Sequence, residues 1–192
     1  MTQNSGTKTQ YTRRRFLAAT GAVVPLAACG NQIGNSNDAK IDARVDSTLN
    51  ALYNKYPGAY NLRDKSVGQL VMPVMTKAGF GIGGAYGRGA LRVNDVSVDY
   101  YSAAQASFGL QIGAQQYSHV LFFMTDDALK KFRYSEGWSA GADLDYVFKN
   151  EGGNLAADFT TATSPVIAVI FGQAGLHLGA TLEGTKYTRI IP

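Results

Sequence analysis

Two histidines, one cysteine and a scatter of carboxylates are the residues of this 192-residue chain whose types suit covalent or metal chemistry. Their spacing argues against it. Neither His119 nor His177 belongs to a paired-ligand motif, so a metal site has no seed. Ser118 beside His119 cannot act as nucleophile and base, because adjacent strand residues point to opposite faces. His177, between Leu176 and Leu178, falls on the polar side of a half-buried strand, and His119, before the apolar run Val120 to Met124, reads as a sheet residue. Asp126 and Asp127 follow Thr125, which marks a helix start rather than an acid/base pair. Asp143 and Asp145 share a strand face and could hold a cation, but a solvated face explains them more simply. Gly79-Phe80-Gly81-Ile82-Gly83-Gly84 literally satisfies the dinucleotide fingerprint. That fingerprint needs a helix to open behind it, and Ala85 to Val93 instead continues with glycines and strand-like residues. The expectation is a non-enzyme without cofactor or metal.

Contact with anions is the chemistry left open. Lys77, Arg88 and Arg92 flank the glycine-rich segments, and Lys130, Lys131 and Arg133 cluster on one short helix. Each could meet an anionic headgroup for about 1 kcal/mol near a membrane surface. The six are candidates for lipid-headgroup contact, although solvated charges would be spaced the same way. A nucleic-acid partner is not expected. The net charge of +4 is carried entirely by Lys8, Arg13, Arg14 and Arg15, and the 14 basic residues after them balance 14 acidic ones.

Those first residues look like an export signal. Arg13-Arg14-Arg15-Phe16-Leu17 resembles the bacterial twin-arginine pattern, and an apolar run from Phe16 to Ala28 follows that is too short to span a bilayer. Leu26-Ala27-Ala28-Cys29 resembles a lipobox, which would make Cys29 the lipid anchor, and Gly30 after it favours the outer membrane. The expected organisation is a signal peptide over 1–28, a flexible tether over 29–39 and a folded domain over 40–192. The expected place is the cell envelope, lipid-anchored, facing the periplasm or the surface.

From Lys40 to Tyr56 the apolar residues Ile41, Val45, Leu49, Leu52, Tyr53 and Tyr56 recur at helical spacing, and Tyr56-Pro57-Gly58 stops the helix. Its polar face mixes Lys40, Asp42, Arg44, Asp46 and Lys55, a balanced set that favours packing on a core over lying on a membrane. Strand patterns follow over Gly68–Met75 (with Pro73 suiting a strand end or an edge), Val96–Tyr101, Ser107–Gln115 and Tyr117–Met124. A short helix is expected near 126–133, and strands over Val166–Phe171, Leu176–Leu182 and Lys186–Ile191. Six of the eleven residues from Gly79 to Gly89 are glycine, and glycine inside a strand marks a bulge, a tight bend or a close backbone approach. The fold class is α+β, with a mainly antiparallel, strongly coiled, glycine-rich sheet closing towards a barrel.

The glycine-rich stretch also carries a resemblance. Lys77-Ala78-Gly79-Phe80-Gly81-Ile82-Gly83-Gly84 with Tyr86-Gly87-Arg88-Gly89-Ala90-Leu91 is similar to the signature of the SYLF domain family. The likeness continues through Ala106 to Gln115, Phe122-Phe123-Met124-Thr125, Gly137-Trp138 and Leu182-Glu183-Gly184-Thr185-Lys186. Eukaryotic members bind phosphoinositide-containing membranes, fungal members bind and bundle actin, and bacterial members are mostly exported proteins or lipoproteins. The resemblance therefore implies a lipid-binding domain without catalytic residues, whose partner is a phospholipid membrane. The alternative it leaves is an envelope scaffold with a protein partner, in which lipid is only the tether.

Overall fold

The computed structural model describes residues 36–141, 144–147, 164–172 and 182–192 with residue 1, giving the backbone alone at 36, 79–82, 107–114 and 145–147. Two helices open the described chain, α1 (Ser36–Lys55) and α2 (Ala59–Lys65). The first starts four residues before the periodicity predicted, inside the segment expected as tether, and stops where Pro57 and Gly58 were expected to stop it. The second went unread because seven residues burying only Ala59 and Leu62 show no period.

Beyond them the strand patterns from Gly68 to Met124 merge into one hairpin, β1 (Gly68–Val93) and β2 (Val96–Phe123), paired antiparallel from Gly68↔Phe123 to Val93↔Val96. Asn94 and Asp95 at its tip have φ of 50° and 62°. Two left-handed residues in a two-residue loop match the twist of the flanking strands, and Asn and Asp tolerate that region better than other non-glycine residues. Of the two places expected for Pro73, a strand end or an edge, the structure takes the edge: among the described strands β1 pairs with β2 alone. Pro73 sits inside β1 at the register shift between Met72 and Met75, where a bulge spares the ladder the hydrogen bond that proline cannot donate.

So strong is the bending that β1 meets itself. A Cβ on Gly89 would lie 1.9 Å from the Val71 carbonyl oxygen, and one on Gly87 would lie 2.5 Å from that of Val74. Only glycine permits this approach, the close-contact role anticipated for the glycine-rich strands.

The remaining described elements are α3 (Asp126–Tyr134), β3 (Trp138–Ser139), β4 (Leu144–Val147), β5 (Val166–Phe171) and β6 (Lys186–Ile190). Strand β2 is central: its first half pairs with β6 through Tyr100↔Ile190 to Ala104↔Lys186, and its last turns pair with β5 through Ser118↔Phe171 to Phe123↔Val166. The order is β3-β6-β2-β5-β4 with β1 on β2, and all pairings are antiparallel except β4 with β5. The architecture is the α+β, strongly curled, barrel-like sheet that the pattern predicted.

Both faces of this sheet are buried, which explains why its central strands read as continuous apolar runs. Alternate residues go to opposite sides. Leu70, Met72, Leu121, Phe123, Val166, Ala168 and Ile170 join one core, which is closed by Leu129 and Phe132 of α3 and by Tyr187. Val71, Val120, Phe122, Ile167, Val169 and Phe171 join the other, beneath Ile41, Val45, Leu49 and Leu52 of α1 and Leu62 of α2. The first helix thus packs on the domain, as its balanced polar face predicted. In the first core Phe132 is the hub, its ring 4.7 Å from Tyr101, 4.9 Å from Phe123 and 5.5 Å from Trp138.

Candidate anion-binding groove

Along α1 the acidic and basic residues occupy opposite flanks of the apolar stripe. Asp38, Asp42 and Asp46 succeed one another at one-turn spacing, as do Lys40 and Arg44, and at about 100° per residue the two sets cannot share a side. Two acids of the first set, Asp42 and Asp46, are engaged by the hairpin near its tip. Asp42 accepts hydrogen bonds from the Ser97 hydroxyl at 2.6 Å and the Tyr100 hydroxyl at 2.9 Å. Asp46 pairs with Arg92 at 2.7 Å. Burial, and then the hydrogen bond to Asp42, push the Tyr100 phenol up to about 12, so this contact is made by a neutral donor throughout the physiological range.

The basic flank faces the Pro73 bulge instead. Lys40, Arg44, Pro73, Val74, Thr76, Tyr86 and Arg88 line a cavity of about 390 Å³. A second cavity, of about 670 Å³, shares Arg44, Pro73, Val74 and Thr76 with it and runs on past Ser47, Thr48 and Ala51 to Lys55 and Phe171. Together they form one groove between α1 and the bend of β1, with four cationic side chains on its walls and no carboxylate. Lys40, Arg44, Lys55 and Arg88 are exposed, and none forms an ion pair among the described residues. The Arg88 Nε donates to the Tyr86 hydroxyl at 3.1 Å, which orients its guanidinium over the groove wall.

Of the six predicted headgroup residues, the structure therefore brings only Arg88 to this groove. Lys77 stands half-buried on β1 opposite Gln115, away from it. Arg92 is mostly covered, tied to Asp46 and to the Asp95 carbonyl. Arg133 is tied to the fully buried Asp99, its Nε 2.8 Å from the carboxylate, and Arg189 binds the other oxygen of that carboxylate. Lys130 and Lys131 are exposed on α3. In the sequence the three groove cations on α1, Lys40, Arg44 and Lys55, read as members of a charge-balanced face. The i, i+4 spacing of Lys40 and Arg44, out of register with Asp42 and Asp46, is the signal in the sequence, and summing the charges conceals it.

The Gly79–Gly84 segment lies inside β1, and no helix opens behind it, so the dinucleotide geometry is absent. His119 is fully buried, its Nε2 2.9 Å from the Tyr187 hydroxyl, and desolvation lowers its pKa to about 3. Among the described residues no three metal-ligating side chains gather, and no described helix is long and apolar enough to cross a membrane. Arg13, Arg14, Phe16, Leu17, Cys29, Asp143 and His177 lie outside the described residues.

Residues 104–189 match the family described as Ysc84: Las17-binding protein actin regulator. A curated relative, Beta cell expansion factor A of Aeromonas veronii, is 26% identical over 169 residues, an alignment that takes in 82% of this chain and 60% of the relative. The chain thus spans less than two thirds of that protein's length. The likeness to the SYLF domain family carried by the Ala106–Gln115, Phe122–Thr125, Gly137-Trp138 and Leu182–Lys186 motifs is borne out by the Ysc84 match, which covers each of them.

Proposed function

We propose that this chain is a lipid-anchored, non-enzymatic SYLF domain that contacts anionic phospholipid at a bacterial envelope membrane, with Cys29 as the anchor. The observation that carries the reading is the one-sided charge of α1. Asp42 and Asp46 are occupied by Ser97, Tyr100 and Arg92 of the hairpin, and Lys40, Arg44 and Lys55 line an open groove together with Arg88. Such an arrangement attracts anions although the folded chain is neutral overall, because a local cluster sets the nearby potential. The family description names a protein-binding actin regulator, and a protein partner is the competing outcome.

Vesicle co-sedimentation of residues 30–192, which contain the whole compact unit 35–192, tests the reading. Binding to phosphatidylglycerol vesicles at low salt, lost at high salt and absent on phosphatidylcholine, is the expected result. Failure to bind either vesicle overturns it and leaves the domain as a protein-interaction module.

A further inference from the structure

We propose that the groove between α1 and the Pro73 bend binds an acidic oligosaccharide, a chain of sugar rings that carries carboxylates at intervals. This goes beyond the membrane-contact reading and does not need it. The lining decides the class of ligand. Of the twelve residues around the larger cavity, seven present hydroxyl, amide or cationic side chains. Ser47, Thr48 and Thr76 carry hydroxyls, and a hydroxyl both donates and accepts. Sugar hydroxyls need partners of both kinds, whereas an isolated carboxylate or phosphate calls for donors only. Gln116 donates to the Thr76 hydroxyl at 3.3 Å, which fixes the amide and leaves its carbonyl to accept. The buried Ser118 hydroxyl donates to the Pro73 carbonyl at 2.6 Å and so ties the bulge that forms one wall. At the other end the exposed Tyr86 ring offers an aromatic face to the C–H side of a sugar ring.

Charge and length then select an acidic oligomer. A neutral sugar would leave four cations without counter-charge, because no carboxylate lines either cavity. The cations are also spread out. Lys40 and Arg44 lie one turn apart, about 6 Å along the helix, and Lys55 lies about 16 Å beyond Arg44. One small anion cannot reach both ends, so the ligand carries acids more than one ring apart. Arg44 and Arg88 suit carboxylates because a planar guanidinium binds both oxygens at once. The connected cavities, of about 390 and 670 Å³, lie in the range of small-ligand sites. An acidic peptide is the rival of equal charge. Extended peptides dock by adding to a free strand edge. Beside this groove the β1 edge is closed by its own bend, since the Val74 carbonyl oxygen lies 2.5 Å from where a Gly87 Cβ would stand.

The test titrates the full chain with four soluble probes, read by calorimetry and by NMR of the arginine Nε–H signals. Tetragalacturonate offers ring hydroxyls and spaced acids together. Maltotetraose offers the hydroxyls alone, tetraglutamate the acids on a peptide, and glycerol 3-phosphate one small anion. The expected result is saturable binding of tetragalacturonate with shifted Arg44 and Arg88 signals. Its affinity should exceed that for each other probe by about tenfold or more, from hydrogen bonds the others cannot make. R44Q should weaken tetragalacturonate and glycerol 3-phosphate about tenfold each, through loss of one charged partner. S47A/T76V keeps every charge and should weaken tetragalacturonate about fivefold while leaving glycerol 3-phosphate unchanged. K130Q on α3 should change neither. Arg44, Ser47 and Thr76 are exposed, which keeps these variants folded, and circular dichroism checks this. Equal affinity for tetraglutamate or for maltotetraose overturns the proposal, because acids or hydroxyls alone then suffice. No saturable binding of tetragalacturonate overturns it altogether. Phosphatidylglycerol vesicles separate this proposal from the membrane reading. Tetragalacturonate binding by a domain that ignores the vesicles keeps the sugar site and removes the membrane reading. Vesicle binding without tetragalacturonate binding does the reverse.

Discussion

Single buried polar residues set two measurable properties of this domain. His119 sits on β2 within the aromatic core, stacked 6.0 Å from the Tyr117 ring and within hydrogen-bond distance of Tyr187. Its folded pKa of about 3 lies below the unfolded value of 6.5 because burial disfavours the charged ring. The unfolded chain therefore takes up the proton first, and stability present above pH 6.5 is lost as pH falls towards 3. Between pH 6.5 and 5 this amounts to about 2 kcal/mol. Urea unfolding at both pH values should show that increment in the parent and not in His119→Gln, which keeps a partner for Tyr187. Asp99 is the second case. Its carboxylate is fully buried, while Arg133 and Arg189 on it are 39% and 65% exposed. Removing both arginines leaves a buried charge uncompensated and should cost about 3 kcal/mol, whereas Asp99→Asn should cost less because the charge goes too. Comparing urea midpoints of the two variants checks the asymmetry. The sequence placed His119 in a sheet and Arg133 on a helix, but spacing along the chain could not show that Arg133 closes on a carboxylate 34 positions away.

At the scale of elements, the long hairpin organises everything else. Its glycines were legible as a group, but their individual duties were not. Gly89→Ala forces a methyl group into the Val71 carbonyl, where rigid backbone cannot yield as a side-chain tip would. The expected loss is about 3 kcal/mol or more. Gly141→Ala meets nothing within 4 Å and should stay within about 0.5 kcal/mol of the parent. Thermal melts of the pair separate close approach from the general entropy of glycine. Helix α3 was read from its cap, and the structure agrees: the Thr125 hydroxyl accepts from the Ala128 amide at 3.2 Å. Thr125→Ala should cost about 1 kcal/mol by the same melts. The hairpin tip shows the limit of local pattern. Asn94-Asp95 closes the hairpin, yet the sequence pattern divides its arms into Gly68–Met75, Val96–Tyr101, Ser107–Gln115 and Tyr117–Met124, because alternation lapses over Ser102–Ala106 and at Gln116 although the backbone ladder continues.

Viewed as a whole molecule, the sheet is a partition between two cores, and the groove exists because the second core holds α1 in place. Leu52 is fully buried in that core, and its replacement by Ala should cost about 2–5 kcal/mol. Since α1 forms one wall of the groove, Leu52→Ala should also raise amide exchange along the helix and weaken glycerol 3-phosphate binding with every cation still present. Unchanged binding in a variant with a loosened helix would show that the cations act from the surface, without a formed groove. Charge works at this scale as well. The domain is neutral in sum, so any attraction to an anionic surface comes from the separation of the two flanks of α1 and fades as salt screens it over about 10 Å.

What the chain alone determined follows from local physics. Helical period and capping located α1 and α3, alternation and glycine content indicated a bent sheet, and an ordered set of motifs carried the family likeness. The tertiary structure decided the rest, because the deciding quantities are distances between segments far apart in sequence. Whether a basic residue is free depends on where a carboxylate lands: Arg92 and Arg133 are engaged, and Lys40, Arg44 and Arg88 are not. Counting charges along α1 gives a neutral face. Packing that helix on the sheet turns the acids towards hydroxyl donors and the bases towards a groove, since a helix docked by one stripe must present its two flanks to different neighbours.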